Sequence, residues 1–217
     1  TLMYAYAVLL PHMAIELGLS LSQIFGVLSA GLLFGGLFSP LSGSLTDRFG
    51  GRWIMVGGSL VAGLALISLG QVTNWQQLLV TIIVAEGAGM FVLYNVAFAA
   101  VVRLDLSVPA QRSISIITLF GGVASTVFWP LTLFLFNEHG WQTTWVILGV
   151  AYLIVCLPIH GFALRGPAHL TVLENQEKGS DWPELQGAAR KRGMLWMVIS
   201  FIFSGYLMGA VMALWVT

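Results

Sequence analysis

Residues 43–52 read GSLTDRFGGR, and this polar turn decides how the rest of the chain is interpreted. The turn lies between two long apolar runs, residues 22–45 and 53–72. Short, charged, glycine-rich turns between apolar runs of this length are typical of loops that join membrane-spanning helices. The pattern is interpreted below as a specific motif, and the alternative is an ordinary positively charged loop on the cytoplasmic face.

The composition places the chain among integral membrane proteins. Hydrophobic residues make up 58% of the sequence, charged residues make up 8%, and the mean hydropathy is +0.89. Soluble domains carry far more charge than this. The only cysteine, Cys156, lies in an apolar run and cannot form an intrachain disulfide. The chain opens with Thr1 and no basic segment precedes its first apolar run, so we interpret it as a fragment.

The apolar runs predict an all-α membrane protein, since about 20 helical residues cross the hydrocarbon core. Ser20 and Gln23 predict a capping box at the start of the second run. We expect a six-helix bundle over residues 1–164 with a truncated first helix, a cytoplasmic linker over residues 165–193, and a seventh helix over residues 194–217. The seven runs are residues 1–17, 22–45, 53–72, 75–102, 113–136, 141–164 and 194–217.

The basic residues indicate the orientation of these spans. The connections around Gly18, Asn74 and His139 contain no Lys or Arg, so all the positive charge falls on the other side. By the positive-inside rule, the N-terminus, the turn at residues 43–52 and the linker are cytoplasmic. Asp181 and Pro183 are typical of a helix start, although a flexible linker is the equal alternative. The nine basic residues are Arg48, Arg52, Arg103, Arg112, Arg165, Lys178, Arg190, Lys191 and Arg192.

Small residues predict close helix packing along the second run. Gly31, Gly35, Ser39 and Gly43 recur every four residues and therefore share one helix face. Such a face lets a neighbouring backbone approach closely. Static packing of a bundle is the simpler interpretation, and a surface that repacks during transport is the functional one.

The turn resembles the loop between helices 2 and 3 of the major facilitator superfamily of secondary transporters. The shared pattern is G-x-L-x-D-R-x-G-x-R, and Gly51 stands where that family usually has a basic residue. The resemblance implies a bundle of twelve helices, of which this chain holds the first six and the seventh. It also implies a latch that closes the cytoplasmic side, in which the arginines pair with Asp105 and Asp47 meets a helix of the other half. The matching positions are Gly43, Asp47, Arg48, Gly50 and Arg52.

Further positions look most like the monocarboxylate-porter-like branch of that family. Ile83 stands where many sugar and drug transporters carry an arginine, and residues 86–89 read EGAG. The fifth run lacks the Gly-Pro-x-x-Gly-Gly pattern of drug:proton antiporters. None of the seven runs contains Lys or Arg, so we expect any cation that binds an organic anion to come from the other half.

Glu86 is the leading candidate for proton coupling or substrate contact. It lies about eleven residues into the fourth run, near mid-membrane at ~1.5 Å per residue. A carboxylate there is unfavourable, so we expect it to be protonated much of the time or to face a wet cavity. A protonated structural glutamate is the equal alternative. His12 is a candidate gate or relay residue, or else an interfacial histidine. Further candidates for the cavity are Tyr4, Tyr94, Asn95, Trp129 and Tyr206.

These features together predict a secondary transporter rather than an enzyme. A phosphate-binding G-x-x-x-x-G-K-[ST] loop is missing from the sequence, which argues against ATP-driven transport within this chain. The last run has no lysine for a retinal Schiff base. We expect alternating-access transport of a small organic solute such as a carboxylate, coupled to protons, in a cell membrane such as a bacterial inner membrane. The alternatives are a drug or metabolite efflux antiporter and, more remotely, a seven-helix receptor; no cofactor, metal or nucleic acid is expected.

Single cysteines should report the predicted orientation once Cys156 has been replaced. Cysteines at Asn74 or Glu138 should react with an impermeant thiol reagent added outside, because the charge bias places both positions there. Cysteines at Phe49 or Gly179 should stay unlabelled in intact cells that express the full-length protein. Labelling at Phe49 from the outside would reverse the orientation and the interpretation of the turn.

Overall fold

The computed structural model describes residues 2–103, 110–163 and 187–215. The chain divides into two compact units, Thr1–His169 and Leu170–Thr217. Asp105 and the predicted helix start at Asp181 lie outside the described residues. The helices within the described ranges are α1 (Leu2–Glu16), α2 (Leu21–Gly36), α3 (Ser39–Phe49), α4 (Gly51–Leu69), α5 (Trp75–Gly89), α6 (Tyr94–Arg103), α7 (Ala110–Ala163) and α8 (Gly187–Trp215).

Three stretches of the described residues are helical, long and apolar enough to cross a membrane. They are Leu21–Phe49, Gly51–Leu69 and Gln111–Phe162. The last of these has 52 residues and holds both the fifth and the sixth predicted spans. Helices α1 and α5 have 15 residues each, which is fewer than the about 20 that cross the hydrocarbon core. The predicted spans therefore correspond to helices that are interrupted or shorter in several places.

Two of the predicted spans are broken inside. The second is divided into α2 and α3, and Pro40 stands in the first turn of α3. Proline is tolerated there because the first N–H groups of a helix have no partner within it. The fourth is divided into α5 and α6 by a run of turns at residues 90–93. An uninterrupted helix was predicted at both places, so each break is a correction to the sequence interpretation.

The fifth and sixth spans meet at Gly140, where two helices join within the range of α7. Gly140 has φ 75° and ψ 172°, inside the otherwise helical range of α7. Residues with a side chain rarely adopt a φ of this sign, so glycine permits the kink. In the second unit, α8 begins at Gly187, within the segment that was predicted as linker.

The capping box predicted at the start of α2 is confirmed. The Ser20 hydroxyl accepts a hydrogen bond from the Gln23 backbone N–H at 3.2 Å. The Ser20 backbone N–H in turn donates to the Gln23 side-chain oxygen at 2.9 Å. Two N–H groups at the helix end are thereby satisfied, and α2 begins sharply at Leu21.

The bundle is arranged around α4. This helix packs against α3, α5, α6 and α7, while α1 packs against α2 and α7, and α2 packs against α5. The main core lies near the connections at Gly18, Asn74 and Gly140, which carry no Lys or Arg. The largest fully buried side chains of this core are Tyr6, Leu9, Leu10, Met13, Ile24, Leu66, Leu69, Leu78, Ile82 and Trp145.

Glycines set the closest approach of α2 to α5. A Cβ atom on Gly35 would lie 2.6 Å from the Glu86 Cβ and 3.0 Å from the backbone nitrogen of Gly87. A Cβ atom on Gly31 would likewise clash with the side chain of Ile82, one turn earlier on α5. The predicted small-residue face therefore packs at these two glycines, whereas a Cβ atom on Gly43 would meet nothing within 4 Å.

The neighbouring glycines of α2 offer a matched pair for a stability test. Gly35→Ala should lower the midpoint of thermal unfolding of the full-length protein by roughly 2–10 °C, because overpacking destabilises by about 1–3 kcal/mol. A Cβ on Gly36 would have nothing within 4 Å. Gly36→Ala should therefore leave the midpoint unchanged or raise it, since alanine favours helix. Equal midpoints for the two variants would show that α2 and α5 do not meet at Gly35.

Candidate functional site

Glu86 is buried at the place where α2 meets α5. Its side chain is 5% exposed, and its Cβ faces Gly35 across the helix contact. Glu86 lies in the last turn of α5, and its backbone carbonyl accepts a hydrogen bond from Met90 N–H at 3.2 Å. The turns at residues 90–93 follow immediately. The buried carboxyl therefore lies beside a break in the predicted fourth span, and discontinuous helices of this kind often form binding sites in transporters.

Tyr6 of α1 lies near the Glu86 carboxyl. Its side chain is 1% exposed, and its hydroxyl is close enough to the carboxyl for the two groups to interact electrostatically. Within the described residues, neither the Tyr6 hydroxyl oxygen nor the Glu86 Oε1 has a hydrogen-bond partner. The Tyr6 ring also packs against Trp145 of α7, with centroids 5.4 Å apart and planes tilted by 53°. Helices α1, α2 and α5 thus form this site, and α7 supports the Tyr6 ring.

Tyr6 was not among the predicted site residues, although Tyr4 was. The structure buries Tyr6 and leaves Tyr4 only half-buried. Positions 6, 9, 10 and 13 are all fully buried and follow the period of one helix face. The pattern of large side chains at i, i+3, i+4 and i+7 in α1 was therefore the signal that could have identified Tyr6.

The other predicted cavity residues lie elsewhere, and none of their described contacts is with Glu86. His12 is exposed, its Nδ1 lies 3.0 Å from the Val8 carbonyl oxygen, and its ring centroid lies 4.0 Å from that of Phe136. The Tyr94 hydroxyl lies against Gly121 of α7. Trp129 is 39% exposed on α7. Asn95 lies in α6 and Tyr206 in α8, but their side chains are outside the described part of the chain.

The motif at residues 43–52 is mostly helical rather than a loop. Helix α3 continues to Phe49 and α4 begins at Gly51, so Gly50 alone joins them, with φ 78° and ψ 153°. A residue with a side chain would be strained at this φ. Gly51, which departs from the family pattern, packs closely on α6, because a Cβ there would lie 2.8 Å from the Ala100 Cβ.

The two faces of α3 differ in burial. Ser42 and Thr46 are each 1% exposed, and the Thr46 hydroxyl donates to the Ser42 carbonyl oxygen at 2.7 Å. Gly43, Asp47 and Arg48 are exposed. Because α3 packs on α4 and α6, the buried face holds the motif in place and leaves the acidic position accessible.

Arg52 lies in the first turn of α4, close to the joint with α3. Its guanidinium carbon is 4.7 Å from the centroid of the Trp53 ring, which is within the range of a cation–π contact. Its Nε is buried and has no hydrogen-bond partner among the residues that the structure describes. The predicted pairing with Asp105 is not tested, because Asp105 lies outside those residues.

A second polar cluster between α4 and α7 was missed from the sequence. The Ser59 hydroxyl lies 2.6 Å from His160 Nδ1, and Ser59 is fully buried. Tyr152 and Cys156 precede His160 at four-residue intervals on the same face of α7. That spacing was the only signal in the sequence for this cluster, because Ser59 is 101 positions from His160. In the described ranges no three His, Cys, Asp or Glu side chains lie together as metal ligands would.

Comparison with known proteins agrees with the helical architecture and the motif. The sequence profile of the Major Facilitator Superfamily matches residues 1–217. An agnestins efflux protein of Paecilomyces divaricatus is 34% identical over 142 residues, which are 63% of this chain and 30% of that protein. Monocarboxylate transporter 13 of Rattus norvegicus is 25% identical over 170 residues, which are 76% of this chain and 37% of that protein.

The chain thus spans about a third of the length of these relatives. The match to the family nevertheless covers the described helices and the motif at residues 43–52 alike. The sequence predicted an all-helical fold with long apolar helices, and the structure confirms both. These are the features of a multi-pass membrane protein. The chain belongs to the major facilitator superfamily.

Proposed function

We propose that this chain is part of a proton-coupled secondary transporter that moves a small organic solute by alternating access. The observation that carries the proposal is the buried Glu86 carboxyl beside the break at residues 90–93. A titratable group inside an apolar helix bundle is unfavourable unless it has a role, and such groups commonly mark ion or proton pathways. The names of both relatives, which are an efflux protein and a transporter, support transport as the activity.

The substrate class that we propose is a carboxylate. The name of the rat relative, monocarboxylate transporter 13, supports this choice. Helices α2 and α5, which enclose Glu86, contain no Lys or Arg. A cation that binds the carboxylate would therefore come from the half that completes the predicted twelve-helix bundle. Efflux of a metabolite or drug is the second candidate, because the fungal relative is an efflux protein.

The cytoplasmic latch is the second element of the proposal. Gly43 and Asp47 lie one helical turn apart on the exposed face of α3. A carboxylate at that position can complement the positive N-terminal end of a helix in the other half. We place this face, the N-terminus and residues 165–193 in the cytoplasm, on the basis of the charge bias. We also propose that the chain consists of a six-helix bundle over residues 1–164, a linker over residues 165–193 and a seventh helix over residues 194–217. The membrane that we propose is a bacterial inner membrane.

Asp47→Asn tests the latch by removing the charge while nearly keeping the volume. Charge interactions with a helix end contribute roughly 0.3–2 kcal/mol, so the inward/outward population should shift by about 2- to 30-fold. The full-length variant should insert normally and transport more slowly in cell uptake assays. Asp47→Glu keeps the charge and should retain most of the activity. Uptake by Asp47→Asn at the parental rate would remove Asp47 from gating.

Glu86→Gln tests proton coupling at the buried site. The amide keeps size and hydrogen bonding but cannot change its charge. Gradient-driven accumulation into vesicles should therefore be lost, while exchange of solute between the two sides should persist. The matched control is Glu138→Gln, which removes an exposed carboxyl near the Gly140 kink and should leave both activities intact.

The two activities together separate the roles of Glu86. Loss of both gradient-driven uptake and exchange would make Glu86 a substrate contact. Retention of both would make it a structural glutamate, which is already neutral in the membrane. Either result would contradict the coupling role.

A further inference from the structure

We infer that Tyr6 positions and stabilises the ionised form of Glu86 by donating a hydrogen bond from its hydroxyl to the carboxylate. The inference rests on the proposed function, in which Glu86 binds and releases a proton. It adds a second residue, on a different helix, to the proton-binding site. Tyr6 would act through Glu86 and is therefore a positioning residue.

The burial of both groups is the first argument. Tyr6 is 1% exposed and Glu86 is 5% exposed, and Tyr6 belongs to the same packed core as Ile82, which lies one turn before Glu86 on α5. The Tyr6 hydroxyl and the Glu86 carboxyl are close enough to interact electrostatically. Both the Tyr6 hydroxyl oxygen and the Glu86 Oε1 are buried without a hydrogen-bond partner in the described part of the chain. Buried polar atoms are nearly always paired, so two orphaned atoms on side chains that lie this close are the natural partners. A bond between them would satisfy both.

The lack of competing groups is the second argument. Helix α5 packs against α2 and α4. Helix α2 contains no charged residue, and the only charged residue of α4 is Arg52, in its first turn beside Trp53. Helix α5 itself holds no charged residue besides Glu86. Among the residues that the structure describes, Tyr6 of α1 is therefore the only titratable group found to interact with the carboxyl.

The fixed position of the phenol ring is the third argument. The Tyr6 ring packs on Trp145, and the Trp145 indole N–H donates to the Met13 sulfur at 3.3 Å. Tyr6 and Met13 lie on the same buried face of α1, so α1 contacts the tryptophan at two points. A hydrogen-bond donor whose ring is already held in place can stabilise a nearby charge without first having to be ordered. A phenol, with an ordinary pKa of about 10, remains a donor at all physiological pH values.

The chemistry of the site follows from these contacts. When Glu86 releases its proton, the carboxylate lies in an apolar surrounding that disfavours charge. A hydrogen bond from Tyr6 would offset part of that cost, because bonds to charged groups are about twice as strong as neutral ones. The proton would then be released at a lower pH than without Tyr6.

Tyr6→Phe is the variant that tests this inference. It keeps the ring that packs on Trp145 and removes only the donor. The pH midpoint of gradient-driven uptake by the full-length protein should move upward by about one pH unit, because the carboxyl keeps its proton to higher pH. Tyr152→Phe is the matched control, since it removes a tyrosine hydroxyl at the contact of α4 with α7 and should leave the midpoint unchanged.

An infrared titration of the protonated carboxyl gives a second readout that does not depend on transport. The Glu86 band is the one that is lost in Glu86→Gln, and its midpoint should move upward by the same amount in Tyr6→Phe. An unchanged band midpoint in Tyr6→Phe, or a parental band that does not titrate, would overturn the inference. A shifted band midpoint together with normal gradient-driven uptake by Glu86→Gln would support the pair but refute the proposed proton coupling.

Discussion

The close approach of α2 to α5 is the constraint on which the rest of the site depends. Gly31 and Gly35 bring the backbone of α2 against Ile82 and Glu86. In a membrane, helices gain little from burying apolar surface against each other, so such contacts depend on close van der Waals packing of small residues. The same contact removes Glu86 from the surface of the bundle. The two glycines therefore account both for the packing of α2 on α5 and for the burial of the Glu86 carboxyl.

The distribution of buried side chains explains where the site lies along the bundle. The main core gathers near the connections that carry no basic residue, through Met13, Leu69 and Trp145. Large apolar side chains are exposed at both ends of the bundle, for example Ile15 at 79% and Leu119 at 69%. Tyr6 belongs to this core and Glu86 lies one turn from its Ile82, whereas the motif at residues 43–52 lies at the other end of the bundle. In our proposal, one end of this bundle stays packed while the other end takes part in gating.

The sequence was most informative where a local pattern has a local cause. The capping box at Ser20 follows from two side chains within one turn, and the burial of Glu86 follows from a carboxyl in a long apolar run. The motif at residues 43–52 indicates the family through its residues alone, and the profile match confirms that family. The close packing at Gly35 was likewise predictable from the four-residue spacing of small residues.

The remaining features depend on contacts between distant parts of the chain. Pro40 follows the break at residues 37–38, but the prolines of α1 and α7 lie within helices and no proline marks the break at residues 90–93. Proline alone therefore could not locate the breaks. The choice of Tyr6 over Tyr4 depends on how α1 is rotated against α7. The contact of Ser59 with His160 joins residues that are 101 positions apart. Periodicity shows which face of a helix is buried, but not which side chain of another helix lies opposite.

The central claim is that Glu86 carries the coupled proton, and the most direct test is the proton flux that accompanies solute movement. The full-length protein is placed in vesicles, and a pH-sensitive dye inside them reports the proton flux. The solute that the parent protein accumulates is added outside, with no pH gradient imposed. We expect a proton flux with the parent protein and none with Glu86→Gln, although the variant still exchanges solute. Equal proton flux through the two proteins would contradict the claim.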